Sequence, residues 1–263
     1  MLITSRHNPR LKQAARLRDS RGRREAGRLL VDGARETLRA LQAGVTPVEA
    51  FVDDAAAGPR VDEAVHALEE HGVEIVRVAR EAFTKLAFGD RADGVVLVAE
   101  RPERSLNRVE LPADPLVLVL EAVEKPGNLG AILRTADGAG VDAVIAVDPL
   151  VDFDNPNVIR ASIGAAFRRG TAVAAFEETL EWLRGHELRA LVTRPEAPAA
   201  YTSAALTGGV AIVLGSEADG LDPRWDDVES LAVSLPMLGV ADSLNVSATA
   251  AVLCYEARRQ RDA

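Results

Sequence analysis

The chain has 263 residues, 48% of them apolar and 27% charged, and a formal net charge of −9. That is apolar material for two cores of ordinary size, which excludes a disordered or fibrous chain, and the single cysteine, Cys254, excludes an intramolecular disulfide. No apolar run approaches the roughly 18 residues of a membrane span, and the first residues lack the apolar core of a secretion signal, so a cytoplasmic chain with no membrane partner is expected.

Charge is the first feature met along the chain. Residues 1–28 hold nine Lys and Arg against two acids, which leaves −16 for the remainder. A basic segment on an acidic chain suits phosphate contact, with Arg16, Arg21, Arg23 and Arg24 as candidates, although a solvated helix face or a frayed arm would have the same composition. Residues 29–32 form a short apolar stretch, and 33–43 reads as a helix with Ala34, Leu38 and Leu41 on one face, stopped by Gly44. A strand at 50–52, a helix at 61–71 ended by Gly72, a strand at 73–78, a short helix at 81–87 and a closing strand at 94–99 follow. This alternation describes a small α/β sandwich. Residues 100–115 carry three prolines and many charges between two apolar strands, the composition of a linker.

The unbroken apolar run 116–120 is the kind of strand that is buried on both faces of a parallel sheet. Pro126, Gly127, Asn128 and Gly130 turn the chain, 131–139 reads as a helix closed by Gly140, and 143–147 is the next strand. The acidic loop 152–156 leads into a helix over 157–168, with Asn155 as its cap and Pro156 in its first turn. Strand 172–175, a helix around 178–184 and strands 189–193, 210–214 and 230–235 continue the alternation. A final alanine-rich helix is expected to present Ala248, Ala251, Val252 and Tyr255 on one face. The second half is therefore a parallel sheet flanked by helices. Cys254 reads as core filling rather than a nucleophile. His7, His66, His71 and His186 lie at no metal-ligand spacing, so no metal is expected.

Two strand ends, one at Gly215 and one at Pro236, converge in sequence with the start of the last helix. Ligands of open parallel sheets bind beyond the carboxyl ends of the strands, which makes this a candidate site. Ser243, Asn245 and Ser247 taken alone need do no more than cap a helix. However, three stretches in order, KPGNLGAILRTADGAG from Lys125, LGSEADGL from Leu214 and LPMLGVADSLNVSATAAVLCYE from Leu235, resemble the three motifs of the SpoU/TrmH family of RNA ribose 2′-O-methyltransferases. Three ordered motifs are far more specific than one.

The resemblance implies a SPOUT domain with a deep carboxyl-terminal trefoil knot at 114–263, a linker at 105–113, and at 1–104 an RNA substrate-binding domain similar to RNA-binding ribosomal proteins. It implies a homodimer, S-adenosylmethionine as methyl donor, and RNA as substrate, ribosomal RNA ahead of transfer RNA. Carried over by motif position, Asn128, Arg134, Glu217, Ser243 and Asn245 are the catalytic candidates. Arg134 would act with the substrate phosphate on the 2′-hydroxyl; a pKa normally above 12 makes phosphate positioning physically easier for it than proton abstraction. Gly215, Leu235 and Leu244 would embrace the adenosine through main-chain groups, with Thr193, Leu214 and Met237 beside them. Arg160, in a segment VIRASIGAAF that also resembles the family, would face the RNA.

Two departures bear on specificity. Glu124-Lys125 stand where many members have a Gln or Asp pair, and Phe167-Arg168-Arg169-Gly170 replaces the commoner apolar-Pro ending. Two other readings compete: a nucleotide-dependent enzyme of ordinary Rossmann topology with Asp148 as the ribose-binding acid, although GxGxxG is absent, and a catalytically silent RNA-binding protein of the same fold.

Overall fold

The structure, a computed structural model, describes residues 2–87, 93–216 and 218–263. The chain divides into two compact units: Met1–Pro102 together with Asp152–Phe167, and Glu103–Val151 together with Arg168–Ala263.

The first unit opens with β1 (Leu2–Ile3), α1 (Pro9–Arg16), α2 (Ser20–Ala26) and β2 (Arg28–Asp32). It continues through α3 (Ala34–Gln42), β3 (Pro47–Asp53), α4 (Pro59–Glu70), β4 (Glu74–Val78), α5 (Arg80–Phe83) and β5 (Val95–Glu100). Its sheet runs β1-β4-β3-β5-β2, with β5 antiparallel to both neighbours and the other pairs parallel. Leu11, Leu30, Phe51, Val76, Phe83 and Val96 fill the core on one side. The basic segment is thus folded rather than an arm. Asn8 caps α1, its Oδ1 accepting from the Arg10 amide at 2.9 Å, and Pro9 occupies the first helical position, where its missing N–H costs nothing.

In the second unit β6 (Leu116–Glu121), α6 (Pro126–Gly138) and β7 (Ala143–Val147) come first. After α7 (Pro156–Ala161), which groups with the first unit, follow β8 (Thr171–Ala174), α8 (Phe176–Gly185), β9 (Arg189–Thr193), β10 (Ala199–Ala200), β11 (Val210–Leu214), β12 (Ser230–Ser234) and α9 (Val246–Arg261). The sheet order is β10-β12-β9-β11-β6-β7-β8, and every pair is parallel. β6, β7 and β11 are buried on both faces, which explains their unbroken apolar runs. Among the described residues no helix is long and apolar enough to cross a membrane, and no cluster of His, Cys, Asp and Glu could hold a metal ion.

Three expected elements differ. The Pro126–Gly130 turn is the first turn of α6, because Pro126 is pre-set for a helix start. The helix expected over 157–168 stops at Ala161, since Ile163 (φ 58°) and Gly164 (φ 83°) adopt left-handed backbone and a 3₁₀ turn, Ala165–Phe167, follows. In α9 the buried residues are Val246, Ala250, Leu253, Cys254 and Ala257, one helical face displaced from the expected one. Ala248 and Tyr255 are exposed. Alanines on several sides of the helix blur its apolar stripe, so periodicity alone gives the wrong face.

Candidate active site

The carboxyl ends of β9, β11 and β12 and the start of α9 enclose a cavity of about 370 Å³. Thr193, Leu214, Gly215, Leu235, Met237 and Leu244, the expected donor-binding residues, all line it, and so does Ser243. Thr193, Leu214, Gly215, Leu235 and Met237 sit where a strand ends or just beyond, because a parallel sheet leaves its carboxyl edge to loops, and Ser243 and Leu244 lead into α9. Sequence reasoning missed Arg194, Glu196, Asp219, Asp242 and Thr249, which also line the cavity. Arg194 and Glu196 were signalled only by nearness to the end of β9, whereas Asp219, Asp242 and Thr249 lie inside the second and third motif strings.

Gly215 has a steric reason to be glycine. A Cβ there would lie 2.1 Å from the Gly220 carbonyl carbon and 2.4 Å from the Leu221 nitrogen, so any side chain forces the loop backbone apart. The loop closes on itself, Ser216 N donating to Gly220 O and Asp219 N to Ser216 Oγ, both at 2.9 Å. Thr193 Oγ1 donates to Val213 O at 3.1 Å, tying two strand ends together. The Arg194 guanidinium on the rim pairs with Asp226 at 2.6 Å.

Beside the cavity, Asn245 caps α9, its Oδ1 accepting from the Ser247 amide at 2.9 Å and from the Ser247 hydroxyl at 2.6 Å. Its Nδ2 also donates to Asn128 Oδ1 at 3.2 Å. The bland role of helix cap and the contact with a first-motif residue thus coexist in one side chain. Asn128 is half-buried in the first turn of α6, and Arg134 lies exposed further along that helix, engaged by no ion pair among the described residues. Glu217 lies outside the described residues.

At the far side of the same strand edge, Glu121 is buried at the end of β6. Burial pushes its carboxyl above the ordinary range, against the opposing effect of the Asp222 amide that it accepts. Asp148, the ribose-binding acid of the Rossmann alternative, is 3.3 Å from Arg224, so its carboxylate is already engaged. Cys254 is fully buried and its thiol is pushed up to about 12 by burial, which removes it as a nucleophile.

Of the arginines expected to meet RNA, Arg16, Arg21 and Arg24 are exposed; Arg16 and Arg21 both pair with Glu25. Arg23 is a correction. Its side chain is 2% exposed and reaches Asp152 at 2.7 Å, while Nη1 donates to the carbonyls of Leu17 and Arg18, so the guanidinium is turned inward and is not presented to a phosphate on the surface. Arg160 pairs with the buried Asp32 at 2.9 Å and holds α7 against β2. That ion pair assigns the guanidinium a packing task within the first unit.

The cavity has the size of a small-molecule site. A glycine-walled cradle with leucine and methionine side chains suits a nucleoside held through main-chain groups.

Comparison with known proteins agrees with the motifs. Residues 115–255 match the SpoU rRNA Methylase family, and residues 8–97 match the MRM3-like substrate binding domain. A 23S rRNA (guanosine-2′-O-)-methyltransferase, RlmB, of Ralstonia nicotianae is 36% identical over 77% of this chain and 83% of its own. Among solved structures, an RNA 2′-O ribose methyltransferase is 42% identical over the whole of both chains with a TM-score of 0.89. The SpoU methyltransferase AviRb of Streptomyces viridochromogenes, solved in complex with AdoMet, is 26% identical over 98% of this chain and 99% of its own with a TM-score of 0.90. With three motifs brought to one strand edge and more than half of the sequence matched, the chain belongs to the SpoU rRNA methylase family.

Proposed function

We infer that this protein methylates a ribose 2′-hydroxyl of ribosomal RNA, using S-adenosylmethionine. The observation that carries the reading is the meeting of all three motifs at one cavity edge: the Gly215 loop forms its wall, Leu235 to Leu244 its mouth, and Asn245 reaches Asn128 of the first motif. Ribosomal RNA is favoured over transfer RNA because the Ralstonia relative is named for 23S rRNA.

When bound, S-adenosylmethionine supplies an electrophilic methyl group. Thr193, Leu214, Gly215, Leu235, Met237 and Leu244 would hold it, with recognition running through backbone groups. Asn128 and Asn245 fix each other across the cavity edge, so neither amide has to reorganise as substrate arrives. Arg134 is assigned to the RNA phosphate beside the acceptor ribose, where a planar fork of donors can orient two oxygens at once. Ser243 and Glu217 complete the catalytic set.

Three finer features belong to the same proposal. The carboxyl-terminal half carries a deep trefoil knot, a reading consistent with the packing of α9 on α6. The protein works as a cytoplasmic homodimer, for which Leu238, Val240, Leu244 and Tyr255, all exposed near the last helix, supply apolar surface. Residues 1–104 form an α/β sandwich like those of ribosomal proteins that select the RNA, and 114–263 carry the transfer chemistry. Mapping 2′-O-methylation in ribosomal and transfer RNA of a deletion strain tests the central claim; an unchanged methylation map in both would refute it.

A further inference from the structure

The loop between β11 and β12 walls the cavity through Gly215, Ser216, Asp219, Gly220 and Leu221. Beyond its tight turn, the next segment is held by charge from the other side. Glu121, the last residue of β6, is 3% exposed, and its Oε2 accepts the Asp222 amide at 2.9 Å. The Arg224 Nη2 lies 3.6 Å from Glu121 Oε1 and 3.3 Å from Asp148 Oδ2, just past the end of β7. Its Nε is 3.2 Å from Asp222 Oδ1, and its guanidinium carbon sits 4.1 Å from the centre of the Phe176 ring. Ala122 and Asp148, beside these contacts, hold left-handed backbone with φ of 49° and 44°, a strained state that the surroundings must maintain.

Stability does not explain a carboxylate at this position. A charge buried at a strand end costs desolvation, and replacing such an ion pair as a whole by apolar side chains of similar size is often neutral or stabilising. The position of Glu121 in the chain supplies a reason. It opens the segment that leads to Asn128 and Arg134, while its carboxylate grips the loop that leads away from Gly215.

We propose that Glu121 and Arg224 are positioning residues that lock the donor-side loop onto the acceptor-side segment, keeping the groups around Gly215 and Asn128 at a fixed separation. This rests on the methyl-transfer reading above. Arginine suits the pivot because its fork of five donors can serve Glu121, Asp148 and Asp222 together while its flat face stacks on Phe176. A lysine ammonium at the same place could satisfy one of them well.

The full-length protein and the variants Arg224→Met, Arg224→Lys and Glu121→Gln test this. The Arg224 side chain is 40% exposed, so its replacement leaves the fold intact, and melting curves verify this. In the donor-free protein, hydrogen exchange at the Asp219 and Asp222 amides is expected to quicken by about tenfold or more in Arg224→Met, which removes the charge-assisted contacts to Glu121, Asp148 and Asp222 together. S-adenosylmethionine affinity by calorimetry falls by a similar factor, and kcat falls further than affinity, because the separation of donor and acceptor is loosened as well. Arg224→Lys stays close to Arg224→Met. Glu121→Gln, which keeps a carbonyl for the Asp222 amide but loses the attraction for Arg224, lies between wild type and Arg224→Met. The double variant Glu121→Gln/Arg224→Met is no worse than Arg224→Met alone, since both act through one contact. Unchanged exchange in Arg224→Met and Glu121→Gln, or strictly additive losses in the double variant, would overturn the proposal. Should wild type bind no S-adenosylmethionine, the methyl-transfer reading fails, and the exchange rates alone still decide whether Glu121 and Arg224 hold the loop.

Discussion

At the scale of single residues, the proposed mechanism rests on backbone approach at one glycine and on charge at one arginine. Gly215→Val would push a side chain into the Gly220 carbonyl, which a Cβ would meet at 2.1 Å. Because backbone cannot swing aside as a side-chain tip can, donor affinity measured by calorimetry is expected to fall by at least about tenfold. Unchanged affinity would move the donor elsewhere. Arg134→Ala has the opposite signature. Arg134 is exposed on α6 and does not line the cavity, so turnover is expected to drop to background while donor affinity stays within about twofold of wild type, as for a group that acts only in the transition state. Wild-type turnover in that variant would take Arg134 out of the mechanism. Both motif residues are legible in the sequence because they belong to short contiguous strings. Arg224 and Glu121 are not, because the contact between them joins residues about a hundred positions apart and nothing local announces it.

Among the elements, α9 shows how charge fastens a helix whose apolar stripe is weak. Glu256 accepts from Arg259 at 2.7 and 2.8 Å and from Gln260 at 2.8 Å, and Gln260 in turn bonds the Ala204 carbonyl and the Leu206 amide. The Arg259 guanidinium and the Gln260 amide lower the Glu256 carboxyl to about 2 from 4.5. A carboxyl depressed in the folded state contributes stability that is complete above about 4.5 and is lost as pH falls toward 2. Acid unfolding followed by circular dichroism should therefore show a shallower dependence between those values in Glu256→Gln than in wild type; identical slopes would mean that the network contributes nothing. α7 makes a related point. Its expected length fails because Ile163, a β-branched residue that seldom adopts positive φ, is held there together with Gly164, whose Arg39 neighbour donates to the Ile163 carbonyl. A β-branched residue inside an otherwise helical run gives no warning of such a break.

For the whole molecule, the division into units makes two further predictions. Arg16, Arg21 and Arg24 are exposed while Arg23 is buried. If the first three meet RNA, replacing them together by Gln should make the slope of log affinity against log salt shallower by about two units, using the single-strand coefficient. Arg23→Gln should leave the slope alone and instead lower unfolding stability by about 3 kcal/mol, since it strands a carboxylate and removes a buried guanidinium. Superimposable slopes for the triple variant would sink RNA contact by this segment. The second concerns truncation. Asp152–Phe167 groups with the first unit, through Arg23–Asp152, Arg101–Asp154 and Arg160–Asp32 pairs at 2.7, 2.8 and 2.9 Å. A fragment starting at residue 114 would carry Phe153, Val158 and Ile159, all buried in the intact chain, without the partners that cover them. It is expected to bind a hydrophobic dye and to melt below the full-length protein, whereas a fragment as stable as the full chain would show that this half folds independently.

The sequence by itself determined the alternation of strand and helix, the parallel character of the second sheet and the three motif strings, because each is written in contiguous residues: unbroken apolar runs, glycine and proline stops, helix caps. Family membership came with those strings. Only the tertiary structure decided which face of α9 is buried, that Asp152–Phe167 leaves its neighbours to join the first unit, that Arg23 is an internal ion pair and that Glu121 meets Arg224. The reason is common to all four. Burial and ion pairing depend on which distant residues share a neighbourhood, and a guanidinium has the same chemistry in the sequence whether it faces water, a phosphate or a buried carboxylate.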